Sequence, residues 1–333
     1  MTALARVALV FTGGTIESVG RDRLDMSWYI EHNTRLTTAE VRARLPELEQ
    51  LADVVEIPFR KLPSHALRDE DWLELVELIH RTADGEEFAG VVITHGTNTL
   101  EESAYFLHLT LKTTKPVVLV GAMRPASAVS TDGELNLLDA VATAASPAVR
   151  GLGVLVVLNN TIFSARDVTK TATARLQSFQ APDAGPLGYA DADRRVVIYH
   201  APVRPHTTQT EFDVRGRAGL PRVDVVTSYV GADGAMIDAA VAAGARGIVS
   251  AGTGGGRPTP LEDEALTRAH EQGVAVCIAS RVGSGRVARS PGMVARGRIG
   301  SDNLQAWKAR VLLSLGLTVT SDPDELQRIF DTY

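Results

Sequence analysis

Threonines, glycines and a histidine directly follow two short apolar runs of this chain, at positions where side chains could react with a ligand. The first turn, Thr12–Ile16, reads Thr-Gly-Gly-Thr-Ile, and the second, Thr94–Glu102, reads Thr-His-Gly-Thr-Asn-Thr-Leu-Glu-Glu. Glycines permit positive φ and let backbone N–H groups approach a ligand closely. Such groups could bind a phosphate or form an oxyanion hole for acyl transfer.

The sequence disfavours phosphate binding. No Gly-Lys dipeptide occurs, so there is no P-loop, and the glycine-rich Gly252–Arg257 lacks the third glycine of a dinucleotide fingerprint. Simpler interpretations exist for each reactive residue, because Thr12–Ile16 could be a structural turn and Lys170 a solvated charge. Thr97 or Asn98 could cap the following helix. No single motif therefore decides the chemistry.

The segments around these turns predict an α/β architecture. Short β-branched runs without polar alternation indicate strands buried on both faces of a parallel sheet, and segments with helical spacing separate them. Such doubly wound sheets bind ligands at the carboxyl ends of their strands. The predicted strands are Val7–Phe11, Val91–Thr94, Val117–Val120, Gly153–Leu158, Val223–Val226, Gly247–Ser250 and Val274–Ala279, and the predicted helices include Asp69–Thr82, Leu100–Leu111, Leu135–Ala145, Ile237–Ala243 and Leu261–Glu271.

A looser stretch divides the chain into two predicted domains. From Pro182 to Pro221 turn residues surround one isolated strand-like run, Val196–Tyr199. We predict a larger N-terminal catalytic domain over residues 1–205, a linker over 206–220 and a smaller C-terminal domain over 221–333, each domain with a doubly wound parallel sheet. The length of 333 residues suits two such domains.

Composition restricts the partners. A formal net charge of −6 provides no basic field, so we expect a small-molecule ligand, no nucleic acid and no membrane.

The single cysteine, Cys277, excludes an intramolecular disulfide, and its apolar neighbours predict a buried thiol. No His-x-x-x-His or carboxylate cluster predicts a metal site. Because the chain has neither a long apolar run nor a signal-peptide layout after Met1, we expect a cytoplasmic protein.

In their order along the chain, these motifs resemble the bacterial L-asparaginase/glutaminase family, the threonine amidohydrolases. The resemblance implies a two-domain α/β fold, hydrolysis of a side-chain or short aliphatic amide with release of ammonia, and no cofactor. It also implies a homotetramer built as a dimer of dimers, because the family's site is shared between subunits. The matching segments are Thr12–Ile16, Ile93–Phe106, Val120–Pro125, Asp132–Leu137, Asp167–Thr171, Lys308–Leu313 and Ile329–Phe330.

The resemblance further implies roles for individual residues. Thr15 would be the nucleophile that forms an acyl-enzyme, and Tyr29 is the candidate for the loop tyrosine that assists it. Assistance is needed because an aliphatic hydroxyl is almost never ionised near neutral pH. Thr97 and Lys170 would position or activate the water, since a buried amine can be neutral. The implied substrate-binding residues are Ser64, which would hold an α-carboxylate, His65, Gly96, Asn98 and Ala122.

The sequence departs from the family pattern where the substrate would bind. Asn98 replaces the aspartate that binds the substrate's α-ammonium and completes the threonine–lysine relay, and Arg257 replaces an asparagine of the partner subunit. The family's later glutamate is also missing, because residues 272–324 contain none. These changes indicate a substrate without an α-ammonium, and they suggest an anionic group that faces Arg257. Alternatively, Arg257 faces solvent and Glu17 or Asp25 restores the ammonium site.

Glu17 is a further departure, because the family commonly has a small residue beside the nucleophile. It could be a nearby base, but we interpret it as a surface charge. Asp132 and Asn136 are expected to brace the cleft, and His95 to be buried and hydrogen-bonded rather than a metal ligand.

The sequence thus predicts an asparaginase-type amidohydrolase whose substrate is asparagine or another short amide or imide related to a dicarboxylic acid. Two other classes stay open. One is a catalytically weak sensor that binds an amino acid or amide, which the joint presence of Thr15, Thr97 and Lys170 disfavours. The other is a nucleotide-binding protein, which the missing phosphate fingerprints disfavour.

Overall fold

The computed structural model describes residues 3–85 and 87–333 and divides into two compact units, Met1–Arg215 and Gly216–Tyr333. The division lies within the stretch 206–220 that we expected to link two domains. The first part of this stretch packs on the first unit, where Phe212 and Val214 are buried. Lys112 Nζ also donates a hydrogen bond to the backbone oxygen of Thr210 at 2.8 Å.

The first unit is built on one large sheet whose centre is parallel. The strands in chain order are β1 (Arg6–Phe11), β2 (Asp53–Ile57), β3 (Gly90–Thr94), β4 (Val117–Val120), β5 (Val154–Leu158), β6 (Thr161–Ser164), β7 (Thr169–Lys170), β8 (Phe179–Gln180), β9 (Gly188–Ala190) and β10 (Val196–Ile198). The large sheet has the strand order β10-β9-β6-β5-β4-β3-β1-β2, and β7 and β8 form a separate pair. The pairs among β1 to β5 are parallel, which confirms the prediction from the apolar runs.

The far edge of this sheet is antiparallel, which the apolar runs did not predict. β6 pairs with β5 and β9, and β9 pairs with β10, all antiparallel. The reversal occurs at Asn159 and Asn160, whose φ angles of 51° and 61° are those of a tight hairpin turn. The sheet is therefore parallel-dominated rather than parallel throughout.

Helices cover both faces of the sheet. Leu137 of the sixth helix belongs to the same buried cluster as Leu9 of β1, while the fourth and fifth helices pack together through Trp72 and Phe106, whose stacked rings are 4.9 Å apart. The helices of this unit are α1 (Tyr29–His32), α2 (Thr38–Ala43), α3 (Leu48–Leu51), α4 (Asp69–Ala83), α5 (Leu100–Thr110) and α6 (Gly133–Ala145).

The second unit is built on a smaller, fully parallel sheet of four strands that lie side by side in chain order. Cys277 of its third strand is fully buried, as predicted. The strands are β11 (Val223–Thr227), β12 (Gly247–Gly252), β13 (Ala275–Ser280) and β14 (Arg298–Gly300), and the helices are α7 (Ala235–Ala242), α8 (Pro260–Glu271), α9 (Pro291–Val294), α10 (Ala306–Gly316) and α11 (Pro323–Thr332). Across the described part of the chain, every helix is too short or too polar to span a bilayer.

Asp139 of α6 makes the stability of the fold depend on pH. Burial raises its pKa from 3.8 to about 7, although Asn160 Nδ2 donates to its Oδ2 at 2.9 Å. The stabilisation from the protonated carboxyl is complete below the ordinary pKa and is lost as pH rises through the folded value. We expect Asp139→Asn to raise the free energy of unfolding near pH 8 by up to about 4 kcal/mol and to change it little in acid. Urea unfolding of both proteins across this range measures the effect, and a gain independent of pH would contradict it.

Candidate active site

The carboxyl ends of β1, β3 and β4 bring three turns into direct contact. A Cβ at Gly14 would lie 2.7 Å from the backbone nitrogen of Gly96, and a Cβ at Gly121 would lie 2.7 Å from the oxygen of His95. Gly14 also has a φ of +109°, which side chains rarely adopt. The glycines of these turns therefore allow the polar residues beside them to converge.

Thr15 and Tyr29 are hydrogen-bonded at this edge of the sheet. Thr15 begins a short 3-10 turn, Thr15–Glu17, and its Oγ1 lies 2.9 Å from the hydroxyl of Tyr29. Burial raises the pKa of Tyr29, and the hydrogen bond to Thr15 opposes this effect. Tyr29 is consequently protonated at neutral pH. Its hydroxyl can therefore relay a proton only if it accepts one from a neighbouring group while it donates its own.

Thr97 and Lys170 form a second hydrogen-bonded pair. Lys170 Nζ lies 2.9 Å from Thr97 Oγ1. Burial lowers the pKa of the Lys170 amine, and the charge of Glu101 opposes this effect. Glu101, which we did not predict, also accepts the backbone N–H of Lys170 at 3.1 Å and thereby holds β7 against α5. The lowered pKa makes the neutral amine easier to form, and a neutral amine beside a hydroxyl can activate water.

Both pairs line one open cavity of about 260 Å³. Ser64 lies on the same wall as Gly96, because a Cβ at Gly96 would be 2.6 Å from Ser64 Oγ. Asn98 is exposed beside the pair formed by Thr97 and Lys170. The predicted site residues that the structure brings together here are Thr15, Tyr29, Ser64, His65, Gly96, Thr97, Asn98 and Lys170.

Two predicted substrate-binding residues do not line this cavity. Ala122 is fully buried and precedes Met123, which does line the cavity. Arg257 belongs to the second unit, where it is exposed in a turn closed by a bridge to Thr253.

The residues expected to brace the cleft do so. Asp132 accepts the backbone N–H groups of Met123 and Arg124, each at 2.9 Å. Asn136 Nδ2 donates to the oxygen of Gly121 at 3.0 Å. His95 is buried, its Nδ1 lies 2.8 Å from Gly96 O, and burial lowers its pKa to about 4, so its ring is neutral at physiological pH.

The interpretation of Glu17 as a surface charge is wrong. Its side chain is fully buried, and Lys61 Nζ lies 3.1 Å from its Oε1. Burial raises the pKa of Glu17, while Lys61 and Arg35 oppose that effect. Lys61 thus replaces water as the partner of this carboxyl, and the local sequence around Glu17 could not show this.

Neither carboxylate that could have restored an ammonium site lines the cavity. Glu17 faces Lys61, and the oxygens of Asp25 accept the backbone N–H groups of Arg21 at 3.1 Å and Trp28 at 2.9 Å. Among the described residues that line the cavity there is no Asp or Glu, but there are two basic side chains, the Lys170 amine and the Arg35 guanidinium. Sequence reasoning missed Arg35, because it stands in no recognisable motif.

Comparisons with known proteins support the assignment that this geometry suggests. The family model described as "Asparaginase, N-terminal" matches residues 6–204, and "Glutaminase/Asparaginase C-terminal domain" matches residues 222–330. L-asparaginase 2 of Escherichia coli is 39% identical over 99% of this chain and 94% of the relative. The probable periplasmic L-asparaginase of Haemophilus influenzae is 39% identical over 99% of this chain and 93% of its own length.

A solved structure shows the same fold. The probable cytoplasmic L-asparaginase of Campylobacter jejuni superposes with a TM-score of 0.95 at 39% identity, covering 99% of this chain and 100% of the other. With the fold and the cavity, these matches define the protein as a hydrolase that acts on amide carbon–nitrogen bonds. The chain belongs to the asparaginase/glutaminase family, which confirms the resemblance seen in its motifs.

Proposed function

We propose that this enzyme hydrolyses a short amide through an acyl-enzyme formed on Thr15. The observation that carries the proposal is the presence of two hydrogen-bonded pairs, Thr15 with Tyr29 and Thr97 with Lys170, on one cavity. Thr15 Oγ1 attacks the amide carbon, and its proton passes through the Tyr29 hydroxyl to the leaving nitrogen. The carbon–nitrogen bond breaks, ammonia leaves, and the acyl group remains on Thr15 as an ester.

Water then cleaves the ester. The Lys170 amine, with its pKa lowered by burial, takes a proton from a water held at Thr97 Oγ1, directly or through that hydroxyl. The resulting hydroxide attacks the ester carbon, the bond to Thr15 Oγ1 breaks, the acid is released, and the proton held by Lys170 returns to Thr15 Oγ1. The backbone N–H of Thr97, beside the converging glycine turns, is suited to stabilise the oxyanion of both steps.

The substrate, in this proposal, carries no α-ammonium. A neutral Asn98 offers an acceptor but no charge to offset an ammonium removed from water. The lining of the cavity supplies no carboxylate within the described residues. Amides of dicarboxylic acids without the amino group, such as succinamate, therefore match the cavity better than asparagine does.

Ammonia release from a panel of amides tests this function. The panel contains L-Asn, D-Asn, L-Gln, succinamate and glutaramate, together with cyclic imides whose ring opening is followed separately. Preference for the amides without an α-amino group would support the proposal, whereas turnover of L-Asn at ordinary enzyme rates would contradict the substrate assignment. If no amide of the panel releases ammonia but one of them binds tightly, the result would instead indicate the catalytically weak sensor.

Asn98→Asp tests whether the lost charge determines specificity. A carboxylate beside the cavity would offset a bound ammonium, so we expect kcat/KM for L-Asn to rise by about 10-fold or more while that for succinamate falls. Steady-state kinetics on both substrates measure the change. Asn98→Ser, which also changes the side chain but adds no charge, is the control. If the ratio of kcat/KM for L-Asn to kcat/KM for succinamate is unchanged in Asn98→Asp, the charge at this position does not determine specificity.

We also propose a cytoplasmic homotetramer in which Arg257 serves the site of a neighbouring subunit. The names of the relatives assign one to the cytoplasm and another to the periplasm, so cell fractionation decides the location. Native mass measurement decides the oligomeric state, and a stable, active monomer would contradict the shared site.

A further inference from the structure

Arg35 lines the same cavity as the proposed nucleophile. Its backbone is held beside the nucleophile's turn, because Ser18 and Arg35 form an antiparallel bridge and Leu36 N donates to Glu17 O at 2.7 Å. Its guanidinium also approaches that turn, since a Cβ at Gly13 would lie 3.3 Å from Arg35 Nη1. The absence of a side chain at Gly13 thus leaves room for a cation at the wall of the cavity.

The charge of Arg35 interacts with the carboxyl of Glu17 but is not paired with it. Glu17 is a carboxyl near enough to act on Arg35 electrostatically, but Lys61 Nζ, 3.1 Å from Glu17 Oε1, is its ion-pair partner. Within residues 3–85 and 87–333, the guanidinium of Arg35 forms no hydrogen bond or ion pair. A free cation in a cleft whose described lining has no carboxylate attracts an anionic ligand.

The net charge of the preferred substrate follows from the charges of the residues that line the cavity. An amino acid such as asparagine is a zwitterion, and its recognition requires an anion for the ammonium as well as a partner for the carboxylate. An amide without the amino group is a net anion, and one free cation suffices to match it. A guanidinium suits this task because its planar fork can bind both oxygens of a carboxylate.

We propose that Arg35 pairs with the carboxylate of the substrate and so selects monoamides of short dicarboxylic acids. This inference rests on the proposed function. Ser64, whose Oγ lies against Gly96 on the cavity wall, would donate a further hydrogen bond to the same carboxylate. The reacting amide would then lie at the other end of the substrate, toward Thr15.

Kinetics of Arg35→Gln on a charged and a neutral amide test the pairing. We expect KM for succinamate to rise by about 10- to 100-fold and kcat to change by less than about threefold, because a charge-assisted hydrogen bond to the bound anion is lost. For butyramide, a neutral amide of the same chain length, we expect no change in kcat/KM. Arg35→Lys should retain part of the preference. Arg23→Gln changes an exposed arginine that precedes α1 and lies outside the cavity, and it should behave as the wild type.

Calorimetric binding of succinate separates this inference from the proposed function. Weaker binding to Arg35→Gln than to the wild type and Arg23→Gln supports the pairing, whether or not an amide is turned over. If succinate binds through Arg35 but no ammonia is released from any amide, the proposed function fails and the anion site stands. Equal affinities in the three proteins, no succinate binding to the wild type, or an equal rise of KM for butyramide would overturn the assignment.

Discussion

Thr15→Ala is expected to lower kcat/KM for ammonia release by at least about 10³-fold, because removing a covalent nucleophile costs on the order of 10³–10⁶ in rate. The alanine variant keeps the cavity but has no oxygen that could form the ester. Thr15→Ser keeps the oxygen and should retain measurable activity. The measurement is steady-state ammonia release, together with intact-mass analysis of enzyme quenched during turnover. Only the wild type and the Thr15→Ser variant should carry the acyl group.

Thr34→Ala is the matched control for this prediction. Thr34 is an exposed threonine that follows α1, the helix that carries Tyr29, and it does not line the cavity. We expect its activity to equal that of the wild type, and both alanine variants should unfold at the same temperature as the parent. Retention of more than about a tenth of the activity by Thr15→Ala would contradict nucleophilic catalysis by this residue.

Lys170→Gln is expected to lower kcat by about 10²- to 10⁴-fold, the usual contribution of a positioned acid–base group. Its amine lies 2.9 Å from Thr97 Oγ1, so its loss should slow the attack of water on the ester more than the formation of the ester. The acyl-enzyme should then accumulate. Quenched-flow mass analysis would detect it as a burst of acylated protein that exceeds the steady-state level of the wild type.

The pH dependence distinguishes a base from a structural lysine. Burial lowers the pKa of Lys170, so the neutral amine forms at a lower pH than for a free lysine, and the wild-type kcat should rise with pH through that lowered value. Lys170→Gln should lack this limb. Lys115→Gln, which changes a lysine outside the cavity, should keep it. If kcat of Lys170→Gln still rises with pH in this range, the rise belongs to the titration of another group.

The central strands of both units could be predicted from short runs of apolar sequence. β1, β3, β4 and β5 are buried on both faces, so their residues need no polar alternation and the runs are easily recognised. The helices α4 and α5 have apolar residues at helical spacing for a related reason, since each packs on the sheet. Burial on a continuous surface leaves a local pattern, and that pattern suffices to identify the element.

A strand at one edge of the large sheet is less easily recognised, because it lacks a continuous apolar run. β2 lies at the edge of its sheet, carries Asp53 and Glu56, and buries only Val54, so it does not resemble the central strands. The hairpin from β5 to β6 did leave a signal, because Asn159 and Asn160 are residues that tolerate positive φ between two apolar runs. That dipeptide predicts the antiparallel edge.

The sequence alone determined the family, the α/β class and eight of the residues that line the cavity. Thr15, Thr97 and Lys170 stand in motifs whose order and spacing identify them, because glycines that allow a close approach must be adjacent to the groups they position. Only the tertiary structure showed which charged side chains surround these residues. Glu17 is buried against Lys61 and Arg35 reaches the cavity through contacts between residues distant in sequence, and no local pattern records which cation a carboxyl meets after folding.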